Sequence, residues 1–164
     1  ALGIATSRPG AGLRERAGVR RFQRWGNGRA DLPMLDSGAW IALALSRDPL
    51  HPQARDQWEM LQGAAAKLHT SVPVVIETFT FLERNANRDV ALAWKNSIYK
   101  PGTVRILPCE LRDLEQSWEY FRRGGLHKLS AVDATSFAIM KRTRIGLAFA
   151  FDHHFAAAGF RLVG

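Results

Sequence analysis

From residue 33 onward, short apolar runs alternate with longer stretches in which apolar positions recur every three to four residues. That is the pattern of strands interleaved with helices. Pro33–Asp36 reads as a short strand and Gly38–Leu45 as a short helix. Pro52–Leu61 is amphipathic, with Ala54, Trp58 and Leu61 on one face. Lys67–Thr70 reads as a strand, and Ser71 with Pro73 forms an N-cap and first-turn signal for a helix running through Arg84. A helix over Asp89–Tyr99 stops at Pro101-Gly102, Val104–Leu107 is the next strand, and Leu111–Arg123 is a helix ended by Gly124-Gly125. Ser130 caps a helix reaching about Arg142, and Leu147–Phe151 is a continuously apolar strand, as expected where both faces are covered. A one-turn helix and a last strand, Phe160–Val163, complete the pattern. Strands alternating with helices predict an α/β sandwich around a mostly parallel sheet.

The first 32 residues break this pattern. They are rich in Gly, Ala and Arg, show no apolar periodicity, and offer too little apolar surface to offset chain entropy. They read as a basic, disordered extension, and Met34 as the natural start of the protein, which leaves 33–164 as one domain. The formal charge of +8 changes meaning accordingly. Residues 1–30 carry seven arginines against one glutamate, and the rest carries 16 Lys/Arg against 14 Asp/Glu. The basicity therefore belongs to the extension and is not evidence for a basic folded surface. The sole cysteine, Cys109, excludes an internal disulfide framework and a cysteine-only zinc site, which points to a reducing compartment, the cytoplasm. No apolar run approaches the ~20 residues that span a membrane.

Candidate chemistry lies in four carboxylates at the edges of apolar runs: Asp36, Glu77, Asp133 and Asp152. Asp36 and Asp152 end predicted strands, while Glu77 and Asp133 fall in the first turns of predicted helices. In open α/β sheets, both places face the edge where functional groups gather. Two carboxylates ~4 Å apart repel by about 4 kcal/mol at an effective dielectric near 20, so such a cluster holds protons or binds cations. An all-oxygen set suits a hard divalent ion. Each acid also has a simpler reading. Asp36 caps the helix at Gly38, Asp133 is the capping-box partner of Ser130, and Asp152 is a turn residue. Glu77, inside VVIETF, is harder to dismiss because its neighbours read as core.

The ordered set resembles the PIN domain, and within it the VapC-like ribonuclease toxins of toxin–antitoxin pairs. The stretches that carry the resemblance are Met34-Leu35-Asp36-Ser37-Gly38-Ala39-Trp40-Ile41, Glu77-Thr78 ahead of Leu82, Leu129 to Phe137 around Asp133, and Phe151-Asp152-His153-His154-Phe155. The resemblance implies a Rossmann-like fold and a Mg²⁺- or Mn²⁺-dependent endoribonuclease acting on tRNA or rRNA. It implies ligation by Asp36, Glu77, Asp133 and Asp152, commonly a homodimer, and a cognate antitoxin whose tail enters the acidic cleft. Ser37 and Ser136 match supporting positions, His154 a position often occupied by His, and His153 one where a basic residue is usual and could touch phosphate, against the simpler reading of a solvated histidine. For the serines, a cap and a satisfied helix hydroxyl are equal readings.

Other readings fit less well. Asp152-His153-His154 is similar to DHH phosphoesterases, which need an early Asp-x-Asp and a longer chain. Haloacid-dehalogenase phosphatases need an aspartate where Gly38 stands. The alternative from another class is a non-catalytic PIN-like module that binds RNA or protein.

Overall fold

The computed structural model describes residues 32–164, so the expectation of an extension over 1–32 falls, Leu32 apart, outside the described residues. The chain builds β1 (Met34–Leu35), α1 (Ser37–Ala44), α2 (His51–Gly63), β2 (His69–Ser71), α3 (Val72–Asn85), α4 (Arg88–Ile98) and β3 (Arg105–Leu107). It continues with α5 (Leu111–Ser117), a 3₁₀ segment (Trp118–Arg122), α6 (Ala131–Thr143), β4 (Leu147–Phe149), α7 (His153–Ala157) and β5 (Arg161–Leu162). All strand pairings are parallel, in the order β3-β2-β1-β4-β5. The chain moves outward from β1 in one direction, then returns to its other side with β4. The switch between those directions falls at the carboxyl ends of β1 and β4, where open α/β sheets form their crevices.

Side-chain alternation along the strands makes three layers. Leu35, Leu147 and Phe149 join one core with Trp40, Ala54, Leu61, Val74, Leu82 and Trp94 from α1 to α4. Met34 and Ala148 point the other way, into a second core with Tyr120, Phe137, Met140 and Phe155 from the 3₁₀ segment, α6 and α7. A strand with both faces covered has no polar side, which is why these runs are continuously apolar. Within the first core, Trp40 packs edge-on against Trp94 at 5.9 Å and tilted against Trp58 at 5.8 Å.

Several boundaries differ from the sequence pattern for local reasons. The strand expected over Leu147–Phe151 ends at Phe149, and the last two residues lead into the turn at Asp152. The helix expected over Leu111–Arg123 narrows to a 3₁₀ turn from Trp118, so that Tyr120 reaches Phe137 at 5.1 Å. Ser71 occupies the N-cap position of α3, but its hydroxyl caps nothing and is buried without a partner. No helix of the described residues is long and apolar enough to cross a membrane.

Candidate active site

Asp36 stands between β1 and α1. Its backbone N–H donates to Phe149 O at 3.1 Å, tying it to β4, and its Oδ2 accepts from Gly38 N at 3.2 Å. The capping reading of Asp36 is met by this bond. One turn on, Trp40 Nε1 donates to Thr70 Oγ1 at 3.1 Å, and Thr70 Oγ1 donates to Leu35 O at 3.0 Å. This relay pins α1 to the ends of β1 and β2, and so fixes the carboxylate. Its Oδ1 is buried and has no hydrogen-bond partner. Burial, reinforced by the negative charges of Asp133 and Glu77, pushes the Asp36 carboxyl up to about 7, against the N–H groups of Ser37 and Gly38.

Asp133 lies in the first turn of α6, where its N–H donates to the cap Ser130 Oγ at 3.0 Å. Its carboxyl is raised first by burial and then by Asp152 and Glu77, while Ser130 opposes the shift. Asp152 caps α7, with Oδ1 accepting from His154 N at 2.9 Å. Glu77 is half-buried in α3. Asp36 thus feels the charges of Asp133 and Glu77, and Asp133 those of Asp152 and Glu77, although the four come from separate parts of the chain. The neighbours of Glu77 correct one expectation: Ile76 is 62% and Val72 42% exposed, so this face of α3 is not core.

The supporting residues divide. Ser37 is buried at the first position of α1, with its backbone N–H turned toward Asp36. Ser136 follows Asp133 by one helical turn, and its buried hydroxyl has no partner, which leaves it available to the cleft. His153 is exposed, with Nδ1 3.3 Å from Asp152 Oδ1. His154 is buried, and its Nε2 donates to His127 O at 2.9 Å. Its Nδ1 lies 2.9 Å from Asp152 Oδ1, off the axis of a hydrogen bond, so this is a close electrostatic contact. Asp152, His153 and His154 bring their ligand atoms within 4.8 Å of one another. The role of the His127 carbonyl was not legible in the sequence, since a backbone group carries no residue-type signal.

The donor set tests whether a divalent cation fits. The acids supply oxygen only, the Asp36 Oδ1 is buried and unpartnered, and the Asp36 and Asp133 carboxyls are raised by burial first and by neighbouring negative charge second. A hard cation would relieve these conditions; among the described residues, however, the potential ligand atoms that gather within 4.8 Å are those of Asp152, His153 and His154 rather than those of the four carboxylates together.

The PIN domain family matches residues 34–161. The 23S rRNA-specific endonuclease VapC20 of Mycobacterium tuberculosis is 36% identical over 126 residues, covering 77% of this chain and 93% of that protein, in both strain CDC 1551 / Oshkosh and strain H37Rv. The crystal structure of Mycobacterium tuberculosis VapC20, described as a Sarcin-Ricin loop cleaving toxin, superposes with a TM-score of 0.68 at 34% identity. It covers 77% of this chain and 95% of that one.

Proposed function

Because the chain belongs to the PIN-domain family, among its VapC-like toxins, we propose that it is a divalent-metal-dependent endoribonuclease of ribosomal RNA. It would be the toxin of a toxin–antitoxin pair, acting in the cytoplasm on the 23S rRNA for which its relative is named. The observation that carries the chemistry is the Asp36 carboxyl, buried, unpartnered at Oδ1 and pushed up to about 7 among other acids. A structural aspartate is satisfied by its partners, and this one is not.

Asp36, Glu77, Asp133 and Asp152 would hold Mg²⁺ or Mn²⁺. When bound, such an ion offsets their repulsion, screens the phosphodiester and lowers the pKa of an attacking water. The chain supplies the rest. The Trp40–Thr70–Leu35 relay keeps Asp36 from swinging away, and the Ser130 cap orients Asp133. The His127 carbonyl fixes the His154 ring, which in turn backs Asp152. His153, exposed next to Asp152, is a group that can touch RNA, whereas the Ser136 hydroxyl is buried and can act only from within the fold.

Two partners belong to this reading. An antitoxin segment would place an arginine against the carboxylates and an apolar face along α3, where Val72, Ile76 and Phe81 are exposed beside Glu77. A second copy would pair through Leu111, Leu114, Trp118 and Phe121, exposed at a three-to-four-residue spacing. Trp118→Glu would then convert a dimer to a monomer in light scattering.

The test is incubation of purified ribosomes with the full chain in Mg²⁺ or Mn²⁺, with and without chelator, and mapping of RNA ends. A discrete, metal-dependent cut in 23S rRNA is expected. Absence of metal-dependent scission of any RNA would leave the non-catalytic, RNA- or protein-binding reading. The crowding of four acids disfavours that reading, since a scaffold gains nothing from such repulsion.

A further inference from the structure

Among the described residues, three that are not glycine have positive φ: Ala65 at 51°, Lys128 at 60° and Arg144 at 59°. Ala65 and Arg144 close the ends of α2 and α6, where a left-handed residue is ordinary. Lys128 closes no α-helix. It sits in the turn between the 3₁₀ segment and α6, at a position that glycine would fill without steric conflict. A strained residue persists where its surroundings over-determine it, and such residues gather at functional sites.

The surroundings here are the site itself. His127 O, immediately before Lys128, accepts from His154 Nε2 at 2.9 Å, which ties the turn to the element that carries Asp152. Two residues after Lys128, Ser130 caps the helix that carries Asp133. Leu126 and Leu129 are buried on either side and fix the turn to the core beneath. Lys128 is exposed at the junction of the two carboxylate-bearing elements.

Its charge is also uncommitted. Of the cations in this stretch, Arg122 pairs with Glu119 at 2.6 Å and Arg123 lies over the Tyr120 ring at 4.5 Å. Lys128 has neither an acid nor a ring partner among the described residues. A free ammonium on the turn that joins the two carboxylate-bearing elements is the complement a polyanionic substrate needs at the rim of an acidic site.

We propose that Lys128 is a substrate-positioning residue whose ammonium receives an RNA phosphate flanking the scissile bond, the left-handed turn being retained because it aims that side chain. This rests on the ribonuclease reading above. The test compares the full chain with Lys128→Gly, Lys128→Gln and Lys128→Arg on ribosomal 23S rRNA, alongside thermal unfolding. Lys128→Gly relieves the backbone conflict while removing the cation, so its Tm should be unchanged or raised while KM rises. A rise of roughly tenfold in KM with kcat within about twofold is expected for Gly and Gln, the loss of one charge-assisted contact. The slope of log KM against log salt should flatten by about one phosphate contact. Arg should restore KM.

Wild-type KM and salt slope in Lys128→Gly and Lys128→Gln, with wild-type cleavage intact, would overturn the assignment and leave the ribonuclease reading standing. A fall in kcat with unchanged KM, not rescued by Arg, would also overturn it. A wild-type chain that cleaves no RNA overturns both, and that arm is read first.

Discussion

Replacing Asp36 by Asn removes one negative charge from a crowded site while keeping the cap, since Asn serves at an N-cap about as well as Asp. The carboxyl titrates near 3.8 in the unfolded chain and at about 7 in the folded one. Between those values the folded state binds the extra proton, so stability falls as pH rises through this window and levels off above about 7. A shift from 3.8 to about 7 corresponds to an upper limit of ~4 kcal/mol. Water and counter-ions relax around a cleft, so about half, ~2 kcal/mol, is the expected gain for Asp36→Asn at pH 8 without metal. At pH 5 the gain should shrink to roughly a third of that, because the wild-type carboxyl is then largely protonated when folded. Urea unfolding in EDTA at pH 5 to 8, followed by tryptophan fluorescence, measures it. The same variant should lose RNA cleavage and the stabilisation that Mg²⁺ gives the wild type. A loss of ~1 kcal/mol or more at every pH, as for a broken cap, would refute the reasoning. So would a gain that does not grow with pH.

Asp152→Asn and Glu77→Gln should each abolish cleavage while leaving metal-free stability unchanged or raised, as judged by ribosome cleavage and thermal scans. Chelation should stop cleavage, and Mg²⁺ or Mn²⁺ should restore it. Arg142→Met should behave oppositely, lowering stability by ~3 kcal/mol in urea titration with cleavage per folded molecule preserved. The reason is that Asp113, fully buried, loses its bonds to Arg142 Nε at 2.7 Å and to a terminal guanidinium nitrogen at 2.9 Å. Burial would raise the Asp113 carboxyl, but Arg142 holds it below the ordinary value, so its contribution is present above the unfolded pKa and fades as pH falls through the folded one. We also propose that residues 1–32 are dispensable for chemistry. Truncation before Met34 should leave the metal-dependent rate intact and weaken RNA binding at low salt at most, which filter binding at two ionic strengths reads directly.

The alternation of apolar runs with helical periodicity was enough to determine the α/β sandwich, because burial on both faces of a parallel strand leaves no polar positions. Asp36 and Asp152 stood out because a charge that ends an apolar run is conspicuous wherever the chain goes next, and Asp133 because it lies in the first turn after the cap Ser130. Local signals were weaker where two structures compete for one residue. Ser71 has the residue type and place of a cap but points into a buried position, and Leu111–Arg123 carries a helical pattern yet tightens at Trp118 so that Tyr120 can meet Phe137. Glu77 was identified through neighbours read as core, although Ile76 and Val72 stand exposed. The tertiary structure alone decided the strand order that sets β1 beside β4, and the approach of Asp36 to Asp133, far apart in the chain. It also decided the raised Asp36 carboxyl, which depends on the distance between charges and on how much water the fold excludes. The same holds for the His127 carbonyl behind His154 and the left-handed turn at Lys128. Sequence specifies side-chain type and period, whereas backbone partners and charge separations exist only once the layers have packed.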